Sequence, residues 1–125
     1  MRDALLVALG GALGSVLRWS VSSWLARLSR DAAFPWGTLA VNIAGSAAIG
    51  FVLTLAFERG SVPPAVRLFL VTGVLGGFTT FSAFSWETLT LMRDGHVLAA
   101  TGYAGGSLLG GLAAAAAGAA LAARI

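Results

Sequence analysis

The sequence predicts an all-α membrane protein of four spanning helices, the third of them weak near its middle. Two observations carry this. Apolar residues make up 58% of the 125 residues and charged residues only 10%, against roughly 25% charged in a typical soluble domain. The few charges also fall between long uncharged runs. So little charge cannot cover a soluble monomer of this size, and a disordered chain would be polar. Lipid tails solve the problem, so the expected environment is a bilayer.

The spans follow from the runs. Residues 32–57, 68–86 and 97–123 carry no charge, and each matches the roughly 20 apolar residues that a spanning helix needs. The first segment reaches that length by holding Arg18 inside it. A leader peptide is the competing reading of residues 1–26, but no A-x-A site follows and Arg18 and Trp19 stand where a cleavage region belongs. The expected helices run over about 4–26, 36–57, 66–92 and 97–122, in one domain covering residues 1–125. Short charged connectors separate them, one with Pro63 and Pro64. Trp19, Trp24, Trp36 and Trp86 lie near segment ends, as interfacial belts require.

The charge pattern excludes several functions. All eight basic residues are Arg and five residues are acidic, a net of +3. The arginines are scattered, so no nucleic-acid partner is expected. With no Cys, no His cluster and no carboxylate pair inside a span, acid–base or thiol catalysis lacks its groups, and the chain is not expected to be an enzyme. A small proton-coupled exporter needs an embedded carboxylate; the nearest, Glu87, follows the third run. A structural subunit without transport is a further alternative.

Orientation is poorly specified. Arg2, Arg59, Arg67 and Arg124 share one side of a four-span chain, and Arg27, Arg30 and Arg93 the other. Four against three is almost no bias. Either another feature fixes the orientation or the protein inserts both ways and pairs antiparallel. Four thin helices hardly enclose a polar path alone, which points to a homo-oligomer, most simply a dimer. Small residues four apart, Gly10/Gly14, Gly73/Gly77 and Gly102/Gly106/Gly110, offer close helix contacts.

Polar groups inside spans are costly and therefore informative. Thr38, Asn42 and Ser46 share one face of the second helix. Tyr103 and Ser107 share a face of the fourth, with Gly111 one turn on. Such neutral donors either glue helices together or replace the hydration of an anion without holding it as a fixed cation does. Gly76 and Gly77 followed by Thr79 and Thr80 weaken the third helix; a break there would free backbone carbonyls, which suit a hard cation such as Na⁺. A continuous helix with a small-residue groove is the alternative. Phe81 and Phe84 face the same way; such a pair is either ordinary packing or, lining a narrow pore, offers electropositive ring edges that weakly favour an anion. Arg18 either snorkels to the interface or makes a vestibule positive, and Glu87 either pairs with it or lines a pore mouth.

Three stretches resemble the small fluoride channels, the Fluc or CrcB family: GGALGSVLRW (Gly10 to Trp19), FPWGTLAVNIAGS (Phe34 to Ser46) and GVLGGFTTFSAFSWE (Gly73 to Glu87). They stand in that family's order and spacing. The resemblance implies a passive fluoride-selective channel of the cell membrane that relieves cytoplasmic fluoride toxicity, built as an antiparallel dual-topology homodimer with two pores. It implies that Asn42 is the pore asparagine and that Phe81 and Phe84 edge the anion path, with Thr80 and Ser82 in a polar track beside them. Tyr103 and Ser107 would continue the track on the fourth helix. Carbonyls at Gly76 and Thr79 would hold a structural Na⁺ at the dimer interface. Arg18 matches the motif arginine and Glu87 the vestibule acid. Two positions depart: Ala83 stands where the motif often has Thr, and Gly111 where a further hydroxyl would extend the track.

Overall fold

A computed structural model describes residues 1–29 and 33–125. Its elements are α1 (Arg2–Leu28), α2 (Trp36–Phe57), α3 (Pro64–Arg67), a π-helical stretch (Leu68–Leu75), α4 (Gly76–Phe78), α5 (Phe81–Arg93) and α6 (Val97–Arg124). Four of the resulting rods are long and apolar enough to cross a membrane: Arg2–Leu28, Trp36–Phe57, Pro64–Arg93 and Val97–Arg124. At 1.5 Å per residue, even α2 is about 33 Å long, enough for a hydrocarbon core of about 30 Å. The outer helices run further at their ends than the uncharged runs indicate, because terminal arginines lie on the last helical turns. Arg30 and Asp31, counted in the first connector, lie outside the described residues.

The connectors follow simple turn chemistry. Pro64 opens α3 at a position where its missing N–H costs nothing. Gly95, at φ +82°, ends α5: its N–H donates to the Met92 carbonyl at 3.2 Å and the His96 N–H to the Leu91 carbonyl at 2.8 Å. This paired closure needs a left-handed residue, which glycine supplies without strain.

Glycine sets the helix spacing. A Cβ on Gly10 would lie 2.6 Å from the Phe69 carbonyl oxygen and 2.8 Å from Gly73 Cα. One on Gly14 would overlap the Val74 carbonyl, and one on Gly77 would meet the Gly11 carbonyl. The α1 backbone therefore rests directly on the first half of the third span, as Gly10/Gly14 and Gly73/Gly77 anticipate. The second close pair, α2 with α6, uses other residues. Gly50 abuts the Ala115 carbonyl and Gly118 the Ala47 carbonyl. In the Gly102 row, Gly102 and Gly106 face open space and only Gly110 meets a neighbour, the Ile43 side chain. Spacing alone marks a small-residue stripe but not the helix that covers it.

The third span is bent, and its interruption falls on the threonines rather than the glycines. Gly76 is helical (φ −61°, ψ −38°), whereas Thr79 (φ −84°, ψ 157°) and Thr80 (φ −151°, ψ 114°) are extended. The β-branched residues leave the helix while the glycines stay in it. Ahead of the bend the Gly76 N–H reaches the Val71 carbonyl, an i→i+5 bond that widens the turn. Nothing in the residue pattern signals that π-helical stretch.

Neighbouring glycines on α1 give a direct test of the packing. Gly10→Ala drives a methyl into backbone and is expected to destabilise by about 1–3 kcal/mol. Gly11→Ala meets open space and is expected to be neutral or slightly stabilising. Thermal unfolding of the two purified variants in detergent measures the difference; equal midpoints would contradict the α1 contact.

Candidate functional site

The site begins with the bend. In a continuous helix the Thr80 N–H would bond the Gly76 carbonyl; here it donates to Asn42 Oδ1 at 2.8 Å. Asn42 Nδ2 in turn donates to the Thr80 carbonyl at 3.1 Å. One side-chain amide thus satisfies both polar groups of the residue that leaves the helix. Thr80 also caps α5, its Oγ1 accepting from the Ala83 N–H at 3.2 Å. Ser82 lies on the exposed side, its Oγ 3.3 Å from Thr80 Oγ1.

Beside this clamp runs a groove of about 520 Å³ between α2, the third span and α6. Asn42, Gly76, Thr79, Thr80, Phe81, Phe84 and Ser107 all line it, with Ser46 and Gly111. Nine of the residues singled out from sequence therefore meet in one place. Apolar side chains, among them Ile49, Leu75, Leu108 and Leu112, make up the rest of the wall.

The donors differ in availability. Ser46 donates back to the Asn42 carbonyl at 2.7 Å, so its hydrogen stays within α2. Ser107 is different: its Oγ is buried and has no hydrogen-bond partner among the described residues. A buried hydroxyl left unmatched costs free energy unless a ligand takes its hydrogen. The Asn42 amide also has a second N–H beyond the one given to Thr80. Phe81 and Phe84 stand with ring centroids 5.6 Å apart, tilted by 43°. Phe84 packs on Tyr103 at 5.3 Å, while Phe81 is 78% exposed at the rim.

Gly76 and Thr79 bring a different chemistry. With the Thr80 N–H given to Asn42, the Gly76 carbonyl loses its helical partner, as expected of the last carbonyls before any helix end. Among the described residues no group of three His, Cys, Asp or Glu side chains could hold a metal ion. The oxygens that fit a hard cation here are backbone carbonyls.

Three further residues do not line the groove. Glu87 sits within α5, inside the expected third span. Its Oε1 accepts from Thr38 Oγ1 at 2.8 Å and its Oε2 from Tyr103 Oη at 2.6 Å. Both carboxylate oxygens are thus engaged with neighbouring spans. Tyr103 is fully buried, in edge contact with Phe34 at 5.6 Å, and its hydroxyl turns to Glu87 and not to the groove. Arg18 is half-buried on α1, outside the groove lining, and among the described residues it makes no ion pair with Glu87. The Thr38–Glu87–Tyr103 network is the part of the site that sequence reasoning missed; the only available signal was that Thr38 precedes Asn42 by one turn and that Glu87 ends an uncharged run.

The chain is similar to known proteins along most of its length. The family model described as CrcB-like protein, Camphor Resistance (CrcB), matches residues 5–119. A Thermus thermophilus protein named fluoride-specific ion channel FluC is 56% identical over 108 residues, covering 86% of this chain and 84% of that one. Proteins of the same name from Rhizobium meliloti (48% over 103 residues, 82% of each chain) and Anaeromyxobacter dehalogenans (48% over 115 residues, 92% of this chain and 90% of that one) align as fully. The three motifs around Arg18, Asn42 and Phe81 all fall within the matched region, and the chain belongs to the CrcB family.

Proposed function

We propose that this chain is a passive, fluoride-selective channel that lets fluoride leave the cell and so limits its toxicity. The observation that carries the reading is the buried Ser107 hydroxyl, unpartnered among the described residues, in the same groove as the Asn42 amide and the two phenyl rings. The relatives' shared name, fluoride-specific ion channel, supplies the ion.

The chemistry is that of exchanging water for weak, fixed donors. A small anion leaving water needs hydrogen-bond donors at once, yet it must depart as easily as it arrives. The Ser107 O–H and the free Asn42 N–H supply neutral donors. Phe81 and Phe84 present ring edges, which carry the positive end of the aromatic quadrupole. No covalent step is required.

The groove is open on the side where Phe81 is exposed, and a second copy of the chain is what closes it. Antiparallel insertion agrees with the nearly even arginine count of the two ends, which gives the positive-inside rule little to act on. The carbonyls of Gly76 and Thr79, near the bend, would hold a structural Na⁺ where two copies meet. That ion, when bound, supplies a fixed positive charge to oxygens that lipid cannot solvate. The cell membrane is the compartment in which such a channel relieves the cytoplasm.

Liposomes loaded with fluoride and containing the purified protein are expected to release it on addition of an ionophore that balances charge, and to retain chloride. Ser107→Ala removes a donor to an anion, an interaction of roughly 1.5–3 kcal/mol, so fluoride release is expected to slow at least about tenfold. Phe81→Ile is expected to cut release while leaving the oligomer's elution in detergent unchanged. Vesicles as tight to fluoride with the protein as without it would refute the channel reading. A separate measurement addresses orientation: two lysines inserted in the connector around Gly95 are expected to bias insertion to one direction and to abolish flux. Full activity with every copy facing one way would refute the antiparallel arrangement.

A further inference from the structure

The end of the bundle that carries both chain termini holds a second cavity, and Val71 lines both it and the groove. It measures about 610 Å³ and opens between the start of α1, the end of α2 and the start of the third span. Arg2 and Arg67 border it, with the carboxylate of Asp3 beside them, and Leu53 and Leu68 form apolar wall. Arg67 is half-buried, and its guanidinium lies over the Phe57 ring, 4.7 Å from the centroid. Stacking occupies the flat face of the group and leaves its N–H edge for a ligand.

The arginines at this end are not equivalent. Arg59 gives its guanidinium to the Ala123 carbonyl and closes the end of α6. Among the described residues, neither Arg2 nor Arg67 makes a hydrogen bond or ion pair through its side chain. Two guanidinium groups against one carboxylate leave the cavity net positive. The α1 N-terminus adds to that sign, since its first residue provides no side-chain cap for the free N–H groups of a 27-residue helix.

This cavity lies where the spans end, at the depth of lipid headgroups, with charge at its mouth and hydrocarbon on its wall. We infer that it binds the phosphate of an anionic phospholipid, the phosphate bridging Arg2 and Arg67 and the glycerol end of the chains lying against Leu53 and Leu68. A guanidinium fork matches phosphate oxygens, and basic pockets between spanning helices take anionic headgroups for this reason. A zwitterionic headgroup would bring its own cation to an already positive mouth and is disfavoured.

Native mass spectrometry of the full-length protein in detergent, titrated with phosphatidylglycerol or with phosphatidylcholine of the same acyl chains, tests the site. Phosphatidylglycerol is expected to be retained at least about fivefold more strongly. Arg2→Gln with Arg67→Gln is expected to weaken that retention on the order of twentyfold, about fivefold for each arginine near the surface. Arg27→Gln, at the opposite end, is expected to leave it unchanged. If the double variant does not elute as the folded protein, Arg2→Gln alone, at an exposed first-turn position, carries the comparison with its fivefold loss. Equal retention of the two lipids, or retention indifferent to the arginine changes, would overturn the proposal. Displacement of phosphatidylglycerol by millimolar inorganic phosphate would also overturn it, showing a free-phosphate site instead of a lipid one.

Discussion

The two-point hydrogen bond between the Asn42 side chain and the backbone of Thr80 is the constraint on which the rest of the site depends. Leaving a helix inside lipid strands polar backbone groups, each costing several kcal/mol when nothing pairs them. Asn42 meets that cost at the N–H and the carbonyl of one residue. By taking the Thr80 N–H it also withholds it from the Gly76 carbonyl, the acceptor it would meet in a continuous helix. The direction of α5 follows, because Thr80 is both the clamped residue and the cap of that helix. Phe81 and Phe84, the first and fourth residues of α5, are thereby set at the groove wall. A hydrogen bond from α2 thus places rings that belong to the third span.

The clamp needs α2 and the third span to approach closely, and small residues allow it. Gly45, one turn below Asn42, touches the Thr79 methyl group; a Cβ there would overlap it. On the far side, α1 lies against the third span through Gly10, Gly14 and Gly77, so the bent rod is gripped on two faces. In lipid, association gains little from excluding water and much from contact. Backbone against backbone is the largest contact two helices can make, and it ties the bend to a rigid frame.

The sequence made much of this legible, and the limits have physical causes. Uncharged runs mark the spans because lipid imposes a single rule on all of them. The polar face of α2 and the weak Gly-Gly-Thr-Thr stretch point to the site because buried polar groups and weak helix formers are expensive in a membrane. The partners of those groups are tertiary facts. Asn42 could be placed beside a pathway from its position, but its bonds to Thr80 required the bend to exist. The same holds for Gly50 and Gly118, whose close contacts between α2 and α6 no small-residue spacing singled out. The π-helical turns before the bend have no residue signature at all.

Glu87 shows how a carboxylate can stand close to an anion path without closing it. An unpaired negative charge within a span would repel fluoride and would itself be costly to bury. Here both its oxygens accept hydroxyl hydrogens, from Thr38 on α2 and Tyr103 on α6, and it does not border the groove. The two donors spread its charge. The network also joins three spans at the level of Phe84, whose ring packs on Tyr103 at 5.3 Å. Charge-assisted hydrogen bonds are stronger than neutral ones, so this triad holds the Phe84 ring in place more firmly than apolar packing alone would. The acid that composition leaves outside the apolar run is then a structural element of the bundle: it ties α2, α5 and α6 together beside the Phe84 ring.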